Sequence, residues 1–316
     1  MIRKLILSTL AISTIVVADA QYKFDFGGRV GAANYLGDIG GKEQTRRDFI
    51  WDLKLRQTRW ALGGFARYRF NKYLAVNSGL TYMRIQGNDN LTTNPARRAR
   101  NLNFKNDMLE LYARAEGYFF STDDLGNKGR YYLSLKAYGF AGVSGLLHGP
   151  KTTLNGSKEK LRPLQTEGVK YGLVTVTIPM GLGLHFTHKR ENRYGFEMSW
   201  SKTFTDYLDD ISTVYVDPAS LPNDTSRELY NRNDELSDAE KVGLPSDIYY
   251  GFKVAGDKDP VKFNKRGDDT HKDAILTTTF TYSRVLPMYG PNTLYRQHVK
   301  SKAQRVASKR KIRAKF

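Results

Sequence analysis

The sequence predicts an all-β fold: an eight-stranded antiparallel transmembrane β-barrel with long extracellular loops and a basic periplasmic C-terminal tail. Three observations carry this expectation. They are an amino-terminal export signal, a period-two alternation of apolar with small or polar residues, and a regular alternation of short and long connections. The 316 residues include 20 Tyr, 16 Phe and 28 Gly. The mean hydropathy of -0.54 would suit a soluble protein, but the lumen-facing half of every barrel strand keeps such an average low.

The first twenty residues, MIRKLILSTLAISTIVVADA, open with Arg3 and Lys4, continue apolar from Leu5 to Val17 and close on Ala18-Asp19-Ala20. This is the pattern of a secretory signal peptide cut before Gln21, and its apolar run is short for a membrane anchor. The absence of Cys removes the thiol needed for lipid anchoring and any disulfide. The expected organisation is a signal peptide at 1–20, a barrel domain at 21–286 and a basic tail at 287–316.

Period-two patterns between turn signals place strands at about 24–36, 57–70, 73–86, 105–120, 130–146, 171–187, 193–207 and 273–286. The sixth is the clearest, with Val174, Val176, Ile178, Met180, Leu182, Leu184 and Phe186 set against Thr175, Thr177, Pro179, Gly181, Gly183 and His185. The seventh sets Tyr194, Phe196, Met198 and Trp200 against Gly195, Glu197, Ser199 and Ser201. The fourth sets Leu109, Leu111, Ala113 and Ala115 against Glu110, Tyr112, Arg114 and Glu116. Glycines in GGRVG and GLGLHF read as small residues packed where strands curve.

Charges of both signs fall on the inner face: Arg67, Arg69, Glu110, Arg114, Glu116, Lys136, Glu197 and Arg284. Eight strands enclose an interior that side chains about fill, so these residues are expected to interlock as a plug, since buried charges persist only when paired. A wide diffusion pore is disfavoured by the strand number.

The connections at 71–72, 121–129 and 189–192 are short, and those at 37–56, 87–104, 147–170 and 208–272 are long. Outer-membrane barrels have short periplasmic turns and long outer loops, so the localisation expected is the outer membrane, with both termini periplasmic. Phe70, Tyr73, Phe119, Phe120, Tyr131, Tyr132, Phe186, Tyr194 and Phe196 lie near the short turns, as an interfacial girdle would. Tyr35, Tyr82, Tyr171, Phe204 and Tyr207 lie toward the opposite ends.

The search for chemistry yields little. His185 and His188 point to opposite faces of one strand, which argues against a metal site, and no cofactor is expected. A lipid-modifying or proteolytic enzyme would need a Ser beside a His with an orienting third group; His185, Ser199 and Ser201 share the inner face, without further motif. Asp206, Asp209 and Asp210 at the rim lack the spacing of an EF-hand and read as a turn and partner-facing motif. The rest of the fourth long loop is polar and acidic, with a short helix near 234–242.

Two segments resemble a family. GGRVGAANYLGDIGG (27–41) and SWSKTFTDYLDDISTVY (199–215) are similar to the PorG-like outer-membrane barrels of the type IX secretion system of Bacteroidetes. The likeness spans roughly residues 22–286, and its most specific parts are Tyr35-Leu36-Gly37-Asp38 and Asp206-Tyr207-Leu208-Asp209-Asp210. It implies a non-enzymatic protein that ties a periplasmic ring of partner subunits to the outer membrane, in organisms that often glide. The fourth long loop and the tail match no family signature.

The formal net charge is +18, which in another compartment would suggest nucleic-acid binding; an exported chain does not meet chromosomal DNA, and no nucleic-acid partner is expected. Much of the excess lies in the tail, at Lys300, Lys302, Arg305, Lys309, Arg310, Lys311, Arg313 and Lys315. Its expected partners are acidic surfaces of periplasmic ring subunits or anionic outer-membrane lipid. The rival reading is a surface adhesin or receptor acting through the long fourth loop, and the third is a lipid-modifying barrel enzyme.

Overall fold

The computed structural model describes residues 23–39, 55–92, 94–123, 125, 133–189, 191–244 and 265–286. The proposed signal peptide, Tyr131, Tyr132 and the whole basic tail lie outside them. Ten strands are present: β1 (Phe24–Leu36), β2 (Arg59–Arg69), β3 (Leu74–Asn88), β4 (Asn103–Thr122), β5 (Leu133–Leu147), β6 (Pro150–Leu154), β7 (Ser157–Lys160), β8 (Val174–His188), β9 (Asn192–Thr203) and β10 (Ala274–Leu286).

Eight of these close a barrel. The hydrogen-bonded circuit runs β1–β2–β3–β4–β5–β8–β9–β10 and returns to β1, every pairing antiparallel. Closure removes all sheet edges from the circuit, which a strand-built membrane span requires because lipid offers no hydrogen bonds. Glycines permit the close strand contacts that curvature demands. A Cβ at Gly27 would lie 1.9 Å from the carbonyl oxygen of Tyr282, and one at Gly31 would lie 2.0 Å from that of Thr278.

The outer surface is apolar on all eight sides. Val30, Leu62, Leu80, Leu111, Val143, Leu182, Tyr194 and Phe280, one from each circuit strand, are exposed. Such a continuous apolar belt is stable only against lipid. At the short-turn end Phe70, Tyr73, Phe119, Phe120 and Tyr194 are exposed as well. A bulge in β4 between Tyr118 and Phe120 shifts the register against β5, so the consecutive Phe119 and Phe120 both face outward.

The interior is layered. Toward the short turns it is filled by ion pairs. Toward the long loops it is apolar, built from Met83, Ile85, Phe104, Met108, Leu146 and Ile275 of the strands with Leu208 and Ile211 of the fourth long loop. This apolar stopper differs from the polar interior expected, although on β3 and β4 its members alternate with the polar Arg84, Gln86, Lys105 and Asp107.

Three further differences from expectation concern single elements. Arg284 does not join the inner network: it is exposed and shares its face of β10 with Phe280, Tyr282 and Leu286, whereas Thr281, Ser283 and Val285 face inward. The three consecutive threonines before it, Thr277 to Thr279, leave the alternation of β10 ambiguous, and a long basic stem near the membrane edge can reach water from the outer face. Tyr35, expected toward the long-loop ends, is there but buried inside the rim rather than on the outer surface. Finally, the third long loop carries the β6–β7 hairpin, and the fourth carries a helix at Asp224–Tyr230 in addition to short turns of helix at Asn233–Glu235 and Asp238–Lys241.

Candidate functional site

Two polar assemblies are candidates for function, one in the lumen and one at the long-loop rim. In the lumen, Arg67 is 1% exposed and reaches three carboxylates: Glu116 at 2.7 Å, Asp25 at 3.2 Å and Glu197 at 3.5 Å. Glu197 also accepts from Arg114 at 2.7 Å and from the Tyr138 hydroxyl at 2.5 Å, with Arg29 at 3.6 Å. Glu116 takes further bonds from Asn77 and Tyr118. Arg193 closes the network on Asp25.

Asp25, Arg29 and Arg193 were not among the residues expected inside, although each shares the parity of its strand's inward face. Arg69 lies over the Tyr118 ring, and Lys136 reaches Asp123 at 3.8 Å near the short turns. Glu110 is bonded to Ser144 at 2.7 Å, with Thr177 at 3.5 Å. These ion pairs fill the bore, so the arrangement fixes strands rather than passing solute.

The structure does not bring His185 together with Ser199 or Ser201. His185 lies opposite Gly195, whereas Ser199 lies opposite Gly181, four residues along the strand. The imidazole is packed between Tyr118 and Tyr138, and neither of its nitrogens has a hydrogen-bond partner among the described residues.

At the rim the two sequence signatures meet. Tyr35, where β1 leaves the barrel, projects its hydroxyl between two carboxylates, 2.6 Å from Asp209 Oδ2 and 2.7 Å from Asp273 Oδ1. The backbone N–H of Asp38 donates to the same phenol oxygen at 3.0 Å. One hydroxyl hydrogen cannot serve both carboxylates. The set is satisfied when one carboxyl carries a proton and donates it to the phenol oxygen. Burial and the neighbouring charges act in that direction: Asp209 is held well above the usual carboxylate range by burial and by Asp273 and Asp38, and Asp273 by burial and by Asp206.

The same carboxylates organise the backbone around them. Asp209 accepts from the N–H of Ile39 and Ile211, and Asp273 from that of Leu208. Asn106 of β4 donates to the carbonyl of Leu208 at 2.8 Å. Asp210 has φ of 72° and accepts from the hydroxyls of Thr166 and Tyr171 at 2.5 Å each; burial raises its pKa to about 6 against the opposing Arg266 charge. Tyr171 stacks on Tyr207 at 4.7 Å, and burial lifts the Tyr207 hydroxyl to about 12.

Leu36 and Leu208 are buried beside this cluster, and Asp206 is 5% exposed. A Cβ at Gly37 would lie 1.9 Å from the Tyr35 hydroxyl oxygen, so a larger residue there would push the phenol off its two carboxylates. Buried Arg100 and Arg266 tie the loops together. Arg100 pairs with Asp89 and donates to the carbonyls of Asp38 and Arg266. Arg266 pairs with Glu167 at 3.0 Å. A cleft of about 190 Å³ beside them is lined by Asp38, Arg97, Tyr215 and Lys265. Asp209, Asp210 and Asp273 are thus engaged by hydroxyls and backbone N–H groups, and among the described residues no group of three metal-ligating side chains is arranged to hold an ion.

Together the apolar belt, the filled lumen and the closed circuit define an outer-membrane-type eight-stranded β-barrel. The chain belongs to the family described as Domain of unknown function (DUF6089), which matches residues 3–220, well over half of its length. That segment includes both signatures and ends before β10.

Among solved structures, the chain is similar to Ail, the attachment invasion locus protein of Yersinia pestis in complex with the heparin analogue sucrose octasulfate. Identity is 10%, TM-score 0.33, and the match covers 84% of this chain and 99% of that one. It is also similar to the N-terminal β-barrel domain of Pseudomonas aeruginosa OprF, at 7% identity and TM-score 0.32, over 83% and 98% of the two chains. Neither likeness bears on activity. No curated protein matches the sequence.

Proposed function

We propose that this protein is a non-enzymatic outer-membrane component of a type IX secretion machinery, oriented with its long loops outside and both termini in the periplasm, where the short turns and the basic tail hold the periplasmic ring. The observation that carries the reading is the convergence of the two signatures on which the resemblance to PorG-like barrels rests. Tyr35 and Asp209 are 174 residues apart in the chain and 2.6 Å apart in space. That the two similar strings interlock in the fold supports reading them as one structural feature. The plugged lumen supports an anchoring role, since a bore filled by ion pairs offers no route for cargo.

The test is a mild-detergent pull-down of the tagged protein from its native membrane, with and without residues 296–316. Ring subunits retained by the full chain and lost from the truncated one are the expected result. Retention by both moves the contact to the short turns, and absence from both overturns the reading. A second reading, a surface adhesin or receptor, is favoured by the ordered cap, in which Arg100, Glu167 and Arg266 bind loops distant in sequence. Deleting most of the fourth loop separates the two, because an anchor would keep its ring.

A further inference from the structure

The third long loop returns along β4 as the β6–β7 hairpin, turned by Asn155 and Gly156 with φ of 49° and 83°, the geometry of a two-residue turn. Its register places three lysines in one row. Lys105 of β4 lies directly opposite Lys151 of β6, and Lys151 lies directly opposite Lys160 of β7. Directly opposed residues share a face, and like charges so placed repel. Lys158, two residues along β7, joins the same face.

The row faces outward. Lys105 has the parity of Leu109 and Leu111, the lipid-facing residues of β4, while Phe104, Asn106 and Met108 point inward. Lys105, Lys158 and Lys160 are exposed, and among the described residues no carboxylate lies within ion-pair distance of any of the three. Among the described residues Lys151 has only Asp107, at 4.0 Å, and Asp107 is already held by Arg84 at 2.5 Å. Arg84 lies over the Trp60 ring, which packs on Tyr82, an aromatic pair at the upper edge of the apolar belt.

Height decides what the row meets. From Phe119 to Leu109 the outward face of β4 spans about 25 Å along the membrane normal at ordinary strand rise and tilt, the height of a bilayer's apolar band. Lys105 lies about 10 Å above Leu109 by the same geometry, at the depth of outer-leaflet headgroups. We propose that the row Lys105–Lys151–Lys160, flanked by Arg84 and Lys158, binds the phosphate groups of an anionic glycolipid of the outer leaflet. An anion of more than one charge between the lysines removes the repulsion that the register imposes. The proposal rests on the orientation given above, but not on the secretion role.

The test uses the full-length protein in neutral detergent, titrated with mixed micelles containing diphosphoryl lipid A or the same lipid stripped of phosphate. Wild-type protein is expected to bind the phosphorylated form more tightly, with binding weakened by salt. The combined variant Lys105→Gln, Lys151→Gln and Lys160→Gln is expected to lose roughly a hundredfold in affinity while keeping the heat-modifiable gel mobility of a folded barrel.

Equal binding of both lipid forms by the wild type overturns the proposal even if the variant fails to fold, and so does unchanged affinity in a folded variant. Displacement by millimolar inorganic phosphate alone overturns the lipid as the source. A membrane-impermeant amine reagent that labels Lys158 or Lys160 only after cell lysis overturns the orientation and this assignment together. Phosphate-dependent binding with no ring subunits in the pull-down leaves the inference standing and removes only the secretion role.

Discussion

The lumen network and the rim cluster are both buried and both polar, yet they solve the same problem in opposite ways. Around Arg67 and Glu197, cations and carboxylates interleave, and each charge finds an opposite one within a few ångströms. Around Tyr35, the carboxylates of Asp38, Asp206, Asp209 and Asp273 crowd together; a phenol and backbone N–H groups hold Asp209 and Asp273, and burial and mutual repulsion favour their protonated forms. Charge pairing suits strands that are already fixed by the barrel's hydrogen bonds. Hydrogen bonding to the backbone suits loops that have no ladder of their own, because it supplies partners that the loop itself lacks. One assembly locks the barrel and the other shapes its cap.

Four experiments divide these roles. The largest effect is expected for Glu197→Gln, which leaves Arg29, Arg67 and Arg114 short of a buried counter-charge. Loss of one partner from such a network costs about 3–5 kcal/mol, read as a drop in the temperature or urea midpoint of the folded band; replacing Arg114 and Glu197 together by Met should recover part of it. Tyr35→Phe comes next, at about 1–3 kcal/mol for the unmade bonds. Its effect should be confined to the cap, appearing as faster amide exchange around 205–212 with the barrel transition little changed.

The third experiment varies pH. Asp209, Asp210 and Asp273 have folded-state pKa values raised above their unfolded ones. The stability they contribute is therefore complete below about pH 4, the unfolded value, and is lost as pH rises through the folded values, about 6 for Asp210. Proteolysis of the cap should accordingly speed up as pH rises from 5 to 8, and Asp273→Asn, which keeps the acceptor for Leu208 N–H without the charge, should flatten that profile. The smallest effect is expected for Arg284→Gln, within about 0.5 kcal/mol, because the side chain stands outside the network. A loss as large as that of Glu197→Gln would return Arg284 to the lumen.

The barrel was legible because its signal is periodic and local. Val174 to Phe186 alternates without interruption, and the structure puts that apolar face outward, with Thr177 and His185 inside. Where alternation weakens, reading failed: the threonines of β10 allowed Arg284 onto the wrong face. The β6–β7 hairpin was overlooked although Asn155-Gly156 between two polar runs is a turn signal, because its strands lack an apolar face. The rim signatures were visible as strings, but their partnership was not. Nothing near Tyr35 in the chain announces Asp209 or Asp273, and the run at 206–210 looks as much like a solvated turn as like a buried one.

By itself, then, the sequence determined the class of fold, the eight strands of the barrel circuit, most of their faces, and the presence of charges in the lumen, since side-chain parity is a property of each strand alone. Tertiary structure decided which charges pair, that Asp209 and Asp273 are buried on either side of one phenol hydroxyl, and that lysines from three strands stand in one row. Those outcomes depend on the register between segments far apart in the chain, and register is fixed only when the barrel closes.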